Sequence, residues 1–389
     1  MKFLLFMGFV IVASTAVADA AKDQAAWQGK MSELSAALTD MIPDLFANSE
    51  TETPAQIAGL NKKVEKLDAI VKNLDPSLGH AVKAPDRDPA LPFLAQQLRE
   101  NIESANQSLK EGHTEYAKTV LRSSVSYCIA CHTRSQTGPQ FPIISAFSET
   151  LKNASWIDRI TFQAASRQFD PANQSVIDQL KTGLHKEVKS FDLQKAARIA
   201  LAIGIRVKKN PEQGLVLAKA IIDSKQASAP LKDDARVWLK DLQAWQSEGQ
   251  QKLKSDKDLI VAARKLIGVS EATDAPVWTP HSEVKYLRAS VLMHDLLRQY
   301  PDSPLVAEAL YLTGLSYDQL RDLGLYSLHE MYFRACIAKA PHSELAEKCF
   351  GRYRESITFG YTGSQGTMIP AGVEASLKAL KENAYRIVK

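Results

Sequence analysis

Runs of apolar residues that step by three or four constrain this chain more than anything else in it. Trp27, Met31, Leu34, Leu38, Met41 and Leu45 form the first run, and Ile57, Leu60, Val64, Leu67, Val71 and Leu74 the second. Such a step keeps every member on one side of an α-helix and leaves no alternation that a half-buried strand would need. Leu94, Leu98, Ile102, Ala105 and Leu109 predict a third helix between Pro89 and Gly112. A fourth begins near Thr114, turns Tyr116, Val120, Tyr127 and Cys131 inward, and stops before Gly138 and Pro139. Short connections favour antiparallel neighbours, so residues 22–140 are expected to fold as an up-down-up-down four-helix bundle.

The fourth helix carries Cys128, Ile129, Ala130, Cys131 and His132. Two thiols on successive turns with an adjacent imidazole are what covalent attachment of haem c requires. Each thiol can bond one vinyl edge of the porphyrin, and His132, held against the ring by those tethers, supplies a nitrogen to iron. A redox dithiol would need a strand before it, and no strand pattern precedes this one. A zinc site would need two more ligands nearby, whereas Cys336 and Cys349 lie some two hundred residues away without such spacing. The motif occurs once, so one haem is expected and a multi-haem wire is not.

Haem c is attached outside the bacterial cytoplasm, and the start of the chain agrees. Lys2, the apolar run Phe3 to Ala13, and small residues through Ala18 and Ala20 read as an export signal over residues 1–20. That run is too short to span a bilayer, and no later segment is apolar for long enough. A periplasmic protein without a membrane span is the expectation. The formal net charge of +4 is too small and dispersed for nucleic-acid binding.

In its first part the chain resembles the cytochrome c prime family and its low-spin relatives. The resemblance covers residues 22–140 and rests on Cys128, Cys131 and His132 following three amphipathic helices, with a methionine early in the first. It implies a bundle with its haem near the end of the last helix. The chain departs from the family a turn beyond the histidine, where an aromatic and a basic residue are usual and Thr133 and Arg134 stand here; Arg134 is the candidate basic residue beside a haem propionate. Thr137, Gly138 and Pro139 also look like the small mitochondrial-type cytochromes, which place a ligating methionine tens of residues further on. Here no methionine lies between Met41 and Met293.

The sixth iron position stays open among Met31, His80 and no protein ligand. In the expected bundle Met31 lies at the haem end, Met41 lies about 15 Å further along its helix, and His113 about 28 Å before His132. His80, between the second and third helices, is also at the haem end. Met31 has an ordinary alternative as a core-filling seam residue.

Residues 144–389 stay helical in another pattern. Two helical hairpins turn at Pro301–Pro304 and at Pro341–Ser343, forty residues apart. Small residues such as Ala307, Ala309, Gly314 and Ala346 permit close helix contact. This part resembles tetratricopeptide-type repeats, an α-solenoid whose exposed groove binds protein. Cys336 and Cys349, on opposite helices of one hairpin, are a candidate disulfide in an oxidising compartment, one that would contribute roughly 3 kcal/mol. No paired carboxylates, nucleophile-and-base pair or phosphate loop argues for an enzyme.

The sequence therefore points to an exported all-α protein with one haem c, exchanging electrons with a redox partner protein that the repeats dock. Two rivals stand beside it. One is a haem-based gas or redox sensor with open iron; the other is a non-redox envelope scaffold whose haem domain is structural.

Overall fold

A computed structural model describes residues 26–47, 52–74, 88–134, 151, 154–249, 253–268, 283–320 and 328–385. The protein is all-α: the described residues hold fifteen α-helices and one short β-hairpin. None of these helices is long and apolar enough to cross a membrane. The export signal and His80 lie outside the described residues.

The chain divides into two compact units. The first comprises Met1–Asp86, Leu91–Cys131 and Gly138–Gln168; the second comprises Arg87–Ala90, His132–Thr137 and Phe169–Lys389. The first unit thus runs past residue 140 to include a fifth helix. Phe162 on that helix sets its ring edge-on to Phe46, with centroids 6.0 Å apart, an aromatic contact that repeats and charges in the sequence do not announce.

Helices α1 (26–45), α2 (Pro54–Lys72), α3 (Ala90–Lys110) and α4 (Thr114–His132) follow the apolar runs. Thr53 and Gln56 close a capping box at the start of α2, where Pro54 has no N–H to leave unsatisfied. Gly112, at φ +83°, takes the left-handed conformation that ends α3. Leu60, Val64, Leu67 and Val71 are buried on α2, and Leu94, Leu98, Ile102, Ala105 and Leu109 on α3. On α1 the buried stripe is Leu34, Ala37, Met41 and Leu45, with Met31 and Leu38 half-buried beside it.

Helix α4 is rotated from the apolar expectation. Tyr116 is 58% exposed, and the inward positions go to Ala117, Leu121, Ser124 and Val125. The cause is visible one residue on. Lys118 is fully buried, its Nζ 2.7 Å from Glu52 Oε1 and 3.3 Å from the Ala47 carbonyl. An ion pair thus occupies a position that a hydrophobicity pattern assigns to solvent.

Polar side chains connect these four helices in a cycle. Lys63 on α2 donates to Asp44 on α1 (2.8 Å), Asn106 on α3 to Asp68 on α2 (3.1 Å), Asn101 on α3 to Ser124 on α4 (3.3 Å), and Arg122 on α4 to the Leu45 carbonyl on α1 (2.8 Å).

The fifth helix, α5, is Trp156–Ala165. In the second unit α6 (Phe169–Thr182) and α7 (Ser190–Ala202) precede a five-residue π-helical turn, Ile203–Val207. Then come α8 (Pro211–Asp223), α9 (Ala229–Glu248), α10 (Asp256–Ile267), α11 (Glu283–Gln299), α12 (Val306–Gln319), α13 (Leu328–Lys339) and α14 (Glu344–Gly360). A hairpin of β1 (Thr362–Gly363) and β2 (Gly366–Thr367) leads to α15 (Ala371–Ala384). From α10 to α15 each helix packs on the next in chain order, and α10 with α12, α12 with α14 and α13 with α15 also touch. Asn210, Ser228 and Ser343 cap helices that follow corners, each accepting a backbone N–H. Cys336 and Cys349 form a disulfide between α13 and α14, with Cα atoms 6.3 Å apart.

Gly314 sets the spacing of α12 and α13. A Cβ there would stand 2.5 Å from Cε1 of Phe333, whose own side chain is buried. Gly314→Val is expected to lower stability by about 1–3 kcal/mol through overpacking. An unchanged urea midpoint would show that α12 can move away freely.

Candidate cofactor site

Helix α4 builds the site along one line of its surface. Ala117, Leu121, Ser124, Cys128 and Cys131 follow one another at steps of four, three, four and three, so all face one way. The first three are buried, whereas both cysteines are half-buried. The seam is closed along most of the helix and opens at the two thiols. They stand one turn apart, about 4.5 Å along the axis, and half-buried His132 ends the helix.

Neither Cys128 nor Cys131 is in a disulfide, in contrast to Cys336 and Cys349. Burial of its sulfur, with the Cys131 thiol beside it, pushes Cys128 up to about 12 even though part of the residue's surface is open. At neutral pH it is therefore a thiol and a weak nucleophile in the folded chain. Among the described residues no group of three or more His, Cys, Asp or Glu side chains converges as in a metal cage. Two thiols on one line, an imidazole on the following residue and an opening in the seam fit haem c better than a zinc ion held by protein alone.

The candidate sixth ligand is placed by the packing of α1 on α4. Lys118 reaches the Ala47 carbonyl and Arg122, later on α4, reaches the earlier Leu45 carbonyl, so the two helices run antiparallel. Counting back from Leu45, Met31 is about 21 Å along α1, and Cys131 is about 14 Å beyond Arg122 on α4. Both advance toward the same end. Met31 is half-buried there.

A buried polar cluster lies within the second unit and begins two residues after His132. Arg134 donates through Nη1 to Asp88 Oδ2 (2.5 Å) and to the Tyr332 hydroxyl (2.7 Å), while Tyr332 donates to Asp88 Oδ1 (2.9 Å). His294 Nδ1 is 3.2 Å from Asp88 Oδ2, and its Nε2 is 3.1 Å from the Tyr317 hydroxyl, which accepts from Arg206 at 2.5 Å. With Arg206 donating to Tyr317, that hydroxyl can donate to Nε2, which assigns the imidazole proton to Nδ1, the nitrogen nearer Asp88. The rings of Tyr317 and Tyr332 stack at 5.4 Å, and the Arg134 guanidinium lies 5.5 Å from the Tyr317 centroid.

Burial, and then the positive charge of Arg134, hold His294 down at about 4, against the pull of Asp88. Burial raises the Asp88 carboxyl, but Arg134 and His294 outweigh it and keep Asp88 well below the usual carboxylate range. Burial likewise raises the Tyr332 hydroxyl well above its usual value. The cluster is an ionised carboxylate paired with the Arg134 guanidinium and facing a neutral histidine, with Arg206 on the far side of that histidine beside Tyr317. Arg134, expected near a haem propionate, is instead committed to Asp88 and Tyr332.

Sequence reasoning singled out Cys128, Cys131, His132, Met31 and Arg134 but passed over Asp88, Arg206, His294, Tyr317 and Tyr332. One signal was available: His294 stands among Leu287, Val291 and Leu297 on a helix, a polar residue where the apolar pattern calls for a hydrocarbon. Arg206 enters the interior from the π-helical turn, whose extra residue changes which side chains face inward, and no apolar period anticipates it. No protein-family model matches the chain, and no curated protein or solved structure is significantly similar to it.

Proposed function

We propose that this protein is an exported, periplasmic monohaem cytochrome c that transfers electrons, with α1 to α4 as an up-down-up-down haem bundle and the second unit as a tetratricopeptide-like array that docks a partner protein. The observation that carries the reading is the line of α4 positions that is buried from Ala117 to Ser124 and opens at Cys128 and Cys131, directly before His132. The cycle of hydrogen bonds joining α1 to α2, α3 and α4 supports the bundle. Helix-on-next-helix packing from α10 onward supports the repeat array.

Cys128 and Cys131 would hold the haem through two thioether bonds, each thiol adding across one vinyl group, and His132 would supply a nitrogen to the iron. The bound haem supplies one-electron chemistry. The apolar residues of α1 to α4 would exclude water from the ring, which would raise its potential. Met31, near the same end of the antiparallel α1, would supply a thioether sulfur to the iron, which suits electron transfer rather than gas binding.

The test is the mass and colour of the full chain made in cells that attach haem c. We expect a red band that survives denaturation and a mass above that of the mature polypeptide by one haem. A mass equal to the polypeptide alone overturns the proposal. Carbon monoxide added to the reduced protein separates the leading rival, since a sensor with open iron binds it readily and a Met31-closed iron poorly.

A further inference from the structure

His132 is the last residue of α4 and is half-buried. The last carbonyls of a helix have no partner one turn on, and such an end frays unless the chain beyond it is held. Here it is held two residues further on. Thr133 and Arg134 are both buried. Arg134 Nη1 donates to Asp88 Oδ2 and to the Tyr332 hydroxyl, and its guanidinium lies 5.5 and 5.9 Å from the ring centroids of Tyr317 and Tyr332.

The anchor is itself fixed. Asp88 Oδ1 accepts from the Tyr332 hydroxyl at 2.9 Å and from the backbone N–H of Ala90, the first residue of α3, at 3.2 Å, while Oδ2 accepts from Arg134. Both carboxylate oxygens are occupied, and Tyr332 is fully buried. His132, Arg134, Asp88, Ala90 and Tyr332 all belong to the second unit. Two peptide steps span at most about 7 Å, so a fixed Arg134 leaves the His132 backbone little room to unwind.

We infer that Arg134, clamped by Asp88 and Tyr332, is the positioning residue for His132: it keeps the end of α4 wound and so sets the direction from which the imidazole meets iron. This rests on the haem c reading of Cys128, Cys131 and His132 and deepens it by naming what holds the histidine. Two thioethers would fix the porphyrin to α4 but set no limit on the turn that follows Cys131. The clamp on Arg134 sets it.

The test compares haem-loaded, full-length variants by visible spectrum, reduction potential and amide hydrogen exchange. Arg134→Leu with Asp88→Asn removes both charges together, so neither stays buried alone, and asparagine keeps an oxygen for Tyr332 and Ala90. Haem should remain bonded through denaturation, since Cys128 and Cys131 are untouched. Exchange of the amides from Ile129 to Thr133 should quicken roughly tenfold. The spectrum should shift to that of iron that has lost a nitrogen ligand, and added imidazole should restore it. Tyr332→Phe, which leaves Arg134 its carboxylate, should show the same changes to a smaller degree. Asp234→Asn, which breaks the 2.9 Å pair with Arg198 elsewhere in the second unit, should lower stability and leave spectrum and potential alone.

An equal spectral change in Asp234→Asn overturns the inference, since the effect would then be one of overall stability. A shift that imidazole does not reverse overturns it too, because it places the loss on a ligand other than His132. Should the double variant fail to accumulate, Tyr332→Phe decides alone. The cytochrome reading fails separately: a colourless parent protein removes the haem and this inference with it, whereas a red parent whose variants match it in spectrum, potential and exchange removes the inference alone.

Discussion

Replacing both Cys128 and Cys131 by serine should leave a polypeptide that carries no haem through denaturation, even when produced in cells competent for haem c attachment. The loss is all or none because serine offers no thiol to bond the porphyrin. Each single variant should retain one thioether, with a shifted absorption spectrum from the unsaturated edge that remains. In the chain, Cys128 and Cys131 continue a buried seam, so serine there changes one atom in a half-open place and the helices should persist. Circular dichroism gives that control. A double-serine variant whose denatured band still stains for haem would place the attachment point elsewhere and end the account of α4 given above.

The second large effect is expected at Asp88. Its carboxylate accepts from Arg134 and Tyr332 and faces His294 Nδ1, all of them buried. Asp88→Ala removes the acceptor and leaves the Arg134 charge inside without its counterion, which should cost about 3–5 kcal/mol. Asp88→Asn, which keeps the shape and one acceptor oxygen, should cost less. Urea unfolding at neutral pH measures both, and a loss below about 1 kcal/mol for the alanine variant would show that water reaches the site.

The same cluster sets an acid response whose sign follows from His294. Held at about 4 in the folded chain against 6.5 ordinarily, it refuses a proton that the unfolded chain accepts. Its contribution is therefore complete above pH 6.5, declines as pH falls toward 4, and amounts to about 3 kcal/mol over that window. Asp88, whose carboxyl is held low, adds its own loss only at still lower pH. His294→Gln should flatten the decline between pH 6.5 and 4, although the facing groups Asp88, Arg134, Arg206, Tyr317 and Tyr332 remain.

Much of the helical framework was legible in the sequence because burial there follows period. Most of the seams of α2 and α3 was legible because hydrocarbon dominates them, from Leu60 to Leu74 and from Leu94 to Leu109, whereas the buried pair of Asp68 and Asn106 beside them was not, and Ile57 is only half-buried. The face of α4 was not: an ion pair between Lys118 and Glu52 claims the interior, and charge matched across sixty-six residues leaves no local trace. That Cys128, Cys131 and His132 share one helix was legible because their spacing fits successive turns. The polar cluster was not, because Asp88, Arg134, Arg206, His294 and the two tyrosines come from six separate places and meet only when folded.

The cycle of polar contacts among the first four helices has a consequence for how their ends are aligned. Hydrocarbon stripes of leucine and valine are mutually interchangeable and would tolerate one helix sliding or rolling against its neighbour. Lys63, Asn106, Asn101 and Arg122 each bond a defined oxygen on a neighbouring helix. They act as keys cut for single locks, so the grease between the helices can vary while the alignment of their far tips stays put.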